Sequence, residues 1–422
     1  MKSTSIIPIV ILLGILFLID LYTQRGLKVL LADVQQEWLK KTVIYGHWII
    51  FVVFAVWILL ATFNVQALTN YKNYKYFYFL FGLSLLFYLP KMVYGAFILA
   101  DDAVWLVKWA AAKLKSTGDL HPEADKISRQ KFIHQIGIAT AAVPFLGAAY
   151  GMIKGRWDFR VIKKTLVFKN LPEEFNGFTI AQFSDAHLGS FFNNYKPVEK
   201  AIEMVNAQNA DVVVFTGDMV NNYAEEAEDW IGYFKQLKAK HGKFSILGNH
   251  DYGEYAKWPS ERAKENNLNR LKAIHGEMGM KLLLNQQERI TKGNASIAVL
   301  GVENWGVPPF PQYGDIDQAK GNDSPAPFQV LLSHDPSHWD AEVIQKHKDI
   351  DLTLSGHTHG AQFGVELGNV KWSPVKYKYP RWAGLYHVGK QMLYVNRGFG
   401  YLGFPGRVGM PPEITVLELK NA

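Results

Sequence analysis

The feature that most limits how this chain can fold is a set of long uncharged stretches in its first third. Thr42–Tyr71 is 30 residues without Asp, Glu, Lys or Arg, Phe132–Ile153 is 22 and Ser3–Ile19 is 17, while Tyr76–Ala100 is broken only by Lys91. About 20 apolar residues cross the hydrocarbon of a bilayer. Four transmembrane spans are therefore expected, at about 3–21, 43–63, 76–100 and 132–153. Trp48, Trp57, Tyr71, Tyr76, Tyr78 and Tyr88 fall where interfacial anchors belong. The first span is short enough for a signal peptide. No small-residue cleavage site follows Asp20, however, and further spans come after it, which favours a retained anchor. Residues 103–114, with Trp105 and Trp109 on one face, read as a helix lying in the interface.

Charge divides the chain at the same place. The total is +7, from 45 basic and 38 acidic residues. Residues 1–157 hold 16 basic and 8 acidic, a balance of +8, and the remainder holds 29 and 30, a balance of −1. The basic surplus thus surrounds the spans and leaves no basic face for nucleic acid on the C-terminal region. The lipid bilayer is the expected partner, and oligomeric state is left open. The chain has no cysteine, which excludes disulfides, thiolate ligands and thiol nucleophiles. Loops 20–41 and 101–131 carry ten basic residues against nine on the opposite side, from Lys2, Lys72, Lys75, Lys154, Arg156, Arg160, Lys163, Lys164 and Lys169. The positive-inside rule then leans slightly towards an extracytoplasmic C-terminal region, in a multi-pass protein of a bacterial inner membrane.

From about Phe159 the pattern becomes short apolar runs alternating with amphipathic segments. Strands are expected at Phe178–Phe183, Asp211–Thr216, Lys243–Leu247, Ser296–Gly301, Phe328–Ser333, Asp351–Ser355 and Gln391–Asn396, and helices at 197–208, 224–240, 260–277 and 337–347. This alternation argues a layered α/β sheet with its ligands beyond the strand ends. The polar residues of metal-binding type stand at those ends. Asp185 and His187 follow the first of these strands, Asp218 the second, Asn249, His250 and Asp251 the third, His334 the fifth, and His357 and His359 the sixth. Imidazole and carboxylate donors without thiolates suit Mn, Fe, Zn or another divalent ion. There are too many for one ion, whereas two ions sharing a bridging carboxylate would use them all.

This ordered set, with Tyr394-Val395-Asn396-Arg397-Gly398 through Pro411-Pro412-Glu413-Ile414, resembles the membrane-attached or exported branch of the calcineurin-like metallophosphoesterase family over about 160–420. The resemblance implies an α/β chain with an N-terminal four-helix transmembrane region, residues 1–153, followed by a layered αββα sandwich, residues 154–422. It also implies two divalent ions, Mn favoured over Fe, Zn or Mg. One would be held by Asp185, His187, Asp218 and His359, and the other by Asp218, Asn249, His334 and His357. A hydroxide bridging them would attack phosphorus in line with the leaving oxygen. His250, oriented by Asp251, would contact the phosphoryl oxygen or protonate the leaving group. Ala361 departs from the family pattern, which has a second glycine there, and alanine resists a positive φ.

Arg397 and Arg407, in a glycine-rich segment, are candidates to clamp a second phosphate or a headgroup, against a structural role. The proline-rich stretch 303–327 reads as a lid or a loop. Residues 370–386 interleave Trp372 and Trp382 with Lys371, Lys376, Lys378 and Arg381, a composition that suits an anionic membrane surface, a stacked nucleobase or a solvated hairpin. The expected function is a membrane-anchored phosphodiesterase or pyrophosphatase for a lipid-linked phosphate. The alternatives are a phosphatase or nucleotide phosphodiesterase on a soluble substrate, or a non-catalytic metal-binding scaffold.

Overall fold

The computed structural model describes residues 6–63, 71–114, 123–322, 324–368 and 370–422. Residues 2–5, at the expected start of the first span, and Lys115 lie outside the described residues. The chain separates into two compact units, Met1–Leu68 with Tyr76–Tyr150, and Thr69–Lys75 with Gly151–Ala422.

The first unit consists of α1 (Ile7–Leu30), α2 (Glu37–Phe63), α3 (Tyr74–Leu114) and α4 (Glu123–Ile153). All four are long and apolar enough to cross a bilayer. Their outward faces expose Ile11, Leu18, Val52, Leu60 and Phe79, the surface a helix presents to lipid. The separate interfacial helix expected at 103–114 does not form, and those residues are the last turns of α3, which runs for 41 residues. No helix breaker stands between Ala100 and Ala103. The intervening acids are neutralised, Asp101 by Arg129 and Asp102 by Arg25. Inside the bundle, fully buried Asp20 on α1 accepts a hydrogen bond from Tyr88 Oη at 2.8 Å and meets Lys91 Nζ and, at 3.1 Å, His47 Nε2. A charge at this depth persists only when paired.

The second unit is the expected αββα sandwich. One sheet has the order β1 (Arg160–Phe168), β14 (Glu413–Asn421), β2 (Phe178–Phe183), β3 (Val212–Thr216), β4 (Lys243–Ile246) and β5 (Lys281–Leu282). The other has β12 (Gly384–Val388), β13 (Gln391–Val395), β9 (Leu352–Ser355), β8 (Gln329–Leu332), β7 (Ala295–Gly301) and β6 (Gln286–Lys292), and β10 (Val365–Leu367) pairs apart from both with β11 (Val370–Trp372). β2 to β5 are mutually parallel, as are β13, β9, β8 and β7. Their uninterrupted apolar runs follow from burial on both faces. Val212 and Val214 point between the sheets with Ile180, Val299 and Leu354, whereas Val213 and Phe215 point outward onto the helices. There α5 (Tyr195–Asn206) buries Val198, Ala201, Ile202 and Val205, a spacing that places all four on one face. The outer face of the second sheet packs Leu300 and Leu331 against Trp339.

Two expected helices differ. Residues 224–240 form two short pieces, α6 (Glu225–Glu228) and α7 (Ile231–Phe234), separated where Trp230 turns inward against Phe191 and Tyr195. Residues 337–347 contain a wide π-turn at Trp339–Val343 that seats the fully buried Trp339. Helix 260–277 forms as α8 (Glu261–Glu277), with Ser260 accepting the Ala263 N–H as its N-cap.

Candidate metal centre

Each residue of metal-binding type lies just past the C-terminal end of a parallel strand, and the two sheets bring them into one crevice. The backbone there is strained. Asp185, His187, Asp218, His357 and His359 all adopt left-handed φ, between 45° and 71°, a conformation that costs a non-glycine residue about 1–3 kcal/mol and clusters at functional sites. Glycines make the close approach possible. A Cβ on Gly217 (φ 92°) would lie 2.6 Å from the Gly248 nitrogen, and one on Gly356 would collide with Ser184 Oγ and Asp185 Oδ2.

Two groups of donors result. In the first, Asp185, His187 and His359 offer atoms within 4.8 Å of one another, as do Asp218, His334 and His357 in the second. His187 Nε2 lies 3.0 Å from His359 Nε2, and His359 Nε2 lies 3.2 Å from Asp185 Oδ1. Asp218 stands between the groups, with Oδ2 3.1 Å from His334 Nε2 and 3.6 Å from His187 Nε2. Asn249 Oδ1 is 2.8 Å from His357 Nδ1, and its amide donates to Tyr255 Oη at 2.8 Å.

Surrounding groups fix the rings. His334 Nδ1 must donate to the Thr216 carbonyl at 2.7 Å, and His187 Nδ1 to Asn221 Oδ1 at 3.1 Å, so both turn Nε2 inward. Burial keeps His187, His250 and His357 below the ordinary imidazole range. Burial opposes charge on Asp185 and Asp218 too, but the histidines around them win and hold both carboxyls low. At His334 burial is outweighed by the Asp218 carboxylate, and the ring rises to about 10. Ionised, fully buried carboxylates facing imidazole nitrogens 3.0–3.3 Å apart are a donor set that needs positive charge to be stable. Divalent ions fit it.

His250 is placed differently. Its N–H donates to Asp218 Oδ1 at 2.9 Å and its Nδ1 to the Asn221 carbonyl at 2.9 Å. Asp251 does not orient it. That carboxylate instead accepts the backbone N–H groups of Gly248, Asp218, Met219 and Val220 at 2.8–3.2 Å, fastening the β3 and β4 loops together. Asn221, Asp335 and Tyr379 were not anticipated. Tyr379 Oη lies 2.8 Å from His357 Nε2, and buried Asp335 Oδ2 lies 3.5 Å from the same nitrogen.

The arginines expected to clamp substrate are committed elsewhere. Arg397 pairs with Glu366 at 2.7 Å and Glu413 at 3.3 Å. Arg407 is 1% exposed and donates to the carbonyls of Gly400, Arg397 and Met410, with Nη2 3.3 Å from His359 Nδ1. Both guanidinium groups tie loops together. Stretch 303–327 reaches the crevice, where the Phe310 ring lies 5.2 Å from His357. In 370–386 the indole of Trp382 is buried against Met410, while Val370, Trp372 and Tyr377 stand exposed.

A two-sheet sandwich with paired His/Asp donor groups at its strand ends is the arrangement of a metal-dependent hydrolase. The model "Calcineurin-like phosphoesterase" matches residues 178–361, and "Probable Calcineurin-like phosphoesterase, transmembrane domain" matches residues 3–156. A Bacillus subtilis protein named uncharacterized metallophosphoesterase YkuE is 30% identical over 70% of this chain and 99% of its own length. A Danio rerio protein named transmembrane protein with metallophosphoesterase domain is 29% identical over 65% of this chain, which spans 60% of it. The chain belongs to the calcineurin-like metallophosphoesterase family. It is a membrane phosphoesterase, a metal-dependent hydrolase of phosphoric esters, and the family implies divalent metal ions.

Proposed function

We propose that this enzyme hydrolyses a phosphodiester or pyrophosphate bond in a lipid-linked substrate. Asp185, His187, Asp218 and His359 hold one divalent ion, and Asp218, Asn249, His334 and His357 the other. The observation that carries the reading is Asp218, whose carboxylate lies within 3.6 Å of histidines from both groups. Two bound divalent ions would supply charge to offset the phosphoryl oxygens and a water acidic enough to attack phosphorus at neutral pH.

The chain's own side chains do the rest. Asp218 is held ionised between the two groups, and Asn221 and Thr216 keep the His187 and His334 rings turned inward. His250, with Nδ1 occupied by the Asn221 carbonyl, presents Nε2 to a phosphoryl oxygen or to the leaving oxygen. Lipid linkage is supported by four apolar helices, which concentrate the enzyme where amphiphilic esters are. On this reading the membrane is a bacterial inner membrane, and the slight excess of basic residues in loops 20–41 and 101–131 favours an extracytoplasmic catalytic unit.

The test uses full-length protein in detergent with bis(p-nitrophenyl) phosphate and added Mn, followed by a detergent-solubilised lipid pyrophosphate against a cyclic nucleotide. Mn-dependent turnover with preference for the lipid is expected. Absence of turnover with any divalent ion would leave a scaffold, and preference for the cyclic nucleotide would replace the lipid reading.

A further inference from the structure

With Arg397 and Arg407 tied into the protein, the crevice needs another cation if it is to recognise a second anionic group. The His357 ring lies between two aromatic rings, Phe310 from stretch 303–327 and Tyr379 from stretch 370–386, each with its centroid 5.2 Å away. The Lys378 ammonium lies over both, 5.1 Å from the Phe310 centroid and 5.3 Å from that of Tyr379. Among the described residues Lys378 makes no ion pair. Its neighbour Arg381 does, with Asp340 at 3.4 Å. Beyond this lysine runs a groove of about 420 Å³ whose walls include Val307, Pro308, Pro336 and Pro380 together with the paired Asp340 and Arg381.

We propose that Lys378 determines specificity by holding a second phosphate-type anion of the substrate, adjacent to the phosphorus under attack, while the groove receives the group attached beyond it. An unpaired ammonium over two rings that both pack against His357 is a point charge suited to a phosphate oxygen. The aromatic faces beneath it hold the cation without neutralising it, and the apolar groove walls suit a group less polar than the phosphates. The inference rests on the reading of the crevice as a phosphoester-hydrolysing metal centre.

The test is equilibrium dialysis of full-length, Mn-loaded protein in detergent with radiolabelled inorganic pyrophosphate and inorganic phosphate, for wild type, Lys378→Gln and Lys378→Arg. Wild type should prefer pyrophosphate. Lys378→Gln should reduce that preference about tenfold, the loss of one charge-assisted contact, and Lys378→Arg should retain most of it. An unchanged preference in Lys378→Gln, or none in wild type, overturns the proposal. If inorganic phosphate binds wild type equally with and without Mn, the metal-centre reading fails, yet the pyrophosphate-to-phosphate ratio still reports on Lys378. A lipid-linked pyrophosphate and a soluble nucleoside diphosphate both carry the second charge. Farnesyl pyrophosphate against farnesyl phosphate, and ADP against AMP, are therefore run in parallel. Loss of preference in either pair supports the proposal and names the source, and loss in neither overturns it.

Discussion

His250, whose Nδ1 is committed to a carbonyl as that of His334 is, differs from the neighbouring histidines in having its backbone N–H committed to Asp218. It stands beside the two donor groups without belonging to either. His250→Ala should lower kcat by about 10²- to 10⁴-fold, the usual worth of a general acid, with metal content by mass spectrometry unchanged. Loss of metal together with activity would make its role structural. Ala361 illustrates a different residue-level economy. It keeps φ at 52° where a glycine would sit without strain. Ala361→Gly should raise stability by about 1 kcal/mol, seen as a higher urea midpoint, and a lower midpoint would refute this. The candidate ligands were legible because motif glycines and strand ends mark them in the sequence. The commitments of Arg397, Arg407 and Asp251 were not, because each depends on partners far away in the chain or on backbone N–H groups that carry no sequence signal.

At the scale of elements, legibility followed burial. Strands buried on both faces, such as β3 and β8, read as continuous apolar runs. Edge strand β1 was missed because Lys163, Lys164 and Thr165 face solvent and only its last residues bury. The seat of α8 on β4 leads to a pH prediction. His275 is fully buried, with Nδ1 2.9 Å from Ser245 Oγ, and burial lowers it from 6.5 to about 3. The unfolded chain therefore binds a proton between these values that the folded chain refuses. This residue's cost is absent above pH 6.5 and grows as pH falls towards 3, by about 1.4 kcal/mol per unit. His275→Gln should flatten the stability profile between pH 6 and pH 4 by about 1 kcal/mol per unit, measured by urea unfolding, and parallel profiles would refute the assignment. In the first unit the bundle is joined by Asp20 and Lys91. Either Asp20→Asn or Lys91→Met should cost about 3 kcal/mol by stranding a buried charge, and the double variant should recover much of it. Additive losses would show that the two residues act separately.

For the whole molecule, the question with most bearing on substrate is which side of the membrane holds the catalytic unit. Charge alone nearly ties, ten basic residues against nine, because the basic residues following α4 offset the earlier loops. Span number does not depend on that count. Gln35 lies exposed in the turn between α1 and α2, and Lys390 lies exposed in the β12–β13 hairpin, with three candidate spans between them. An odd number of crossings puts the two positions on opposite sides. Because the chain has no cysteine, Gln35→Cys and Lys390→Cys each provide a single thiol for a membrane-impermeant maleimide applied to intact spheroplasts. The positive-inside lean expects labelling at 390 and none at 35 until the membrane is permeabilised. The reverse pattern would move the enzyme to cytoplasmic lipid precursors while leaving the three intervening spans intact. Equal labelling of both sites would mean that one of α2, α3 and α4 does not cross, since these are the helices between the two positions. Only an extracytoplasmic result makes lipid phosphates of the outer leaflet and envelope the reachable substrates, since a phosphoester headgroup does not cross the hydrocarbon unaided.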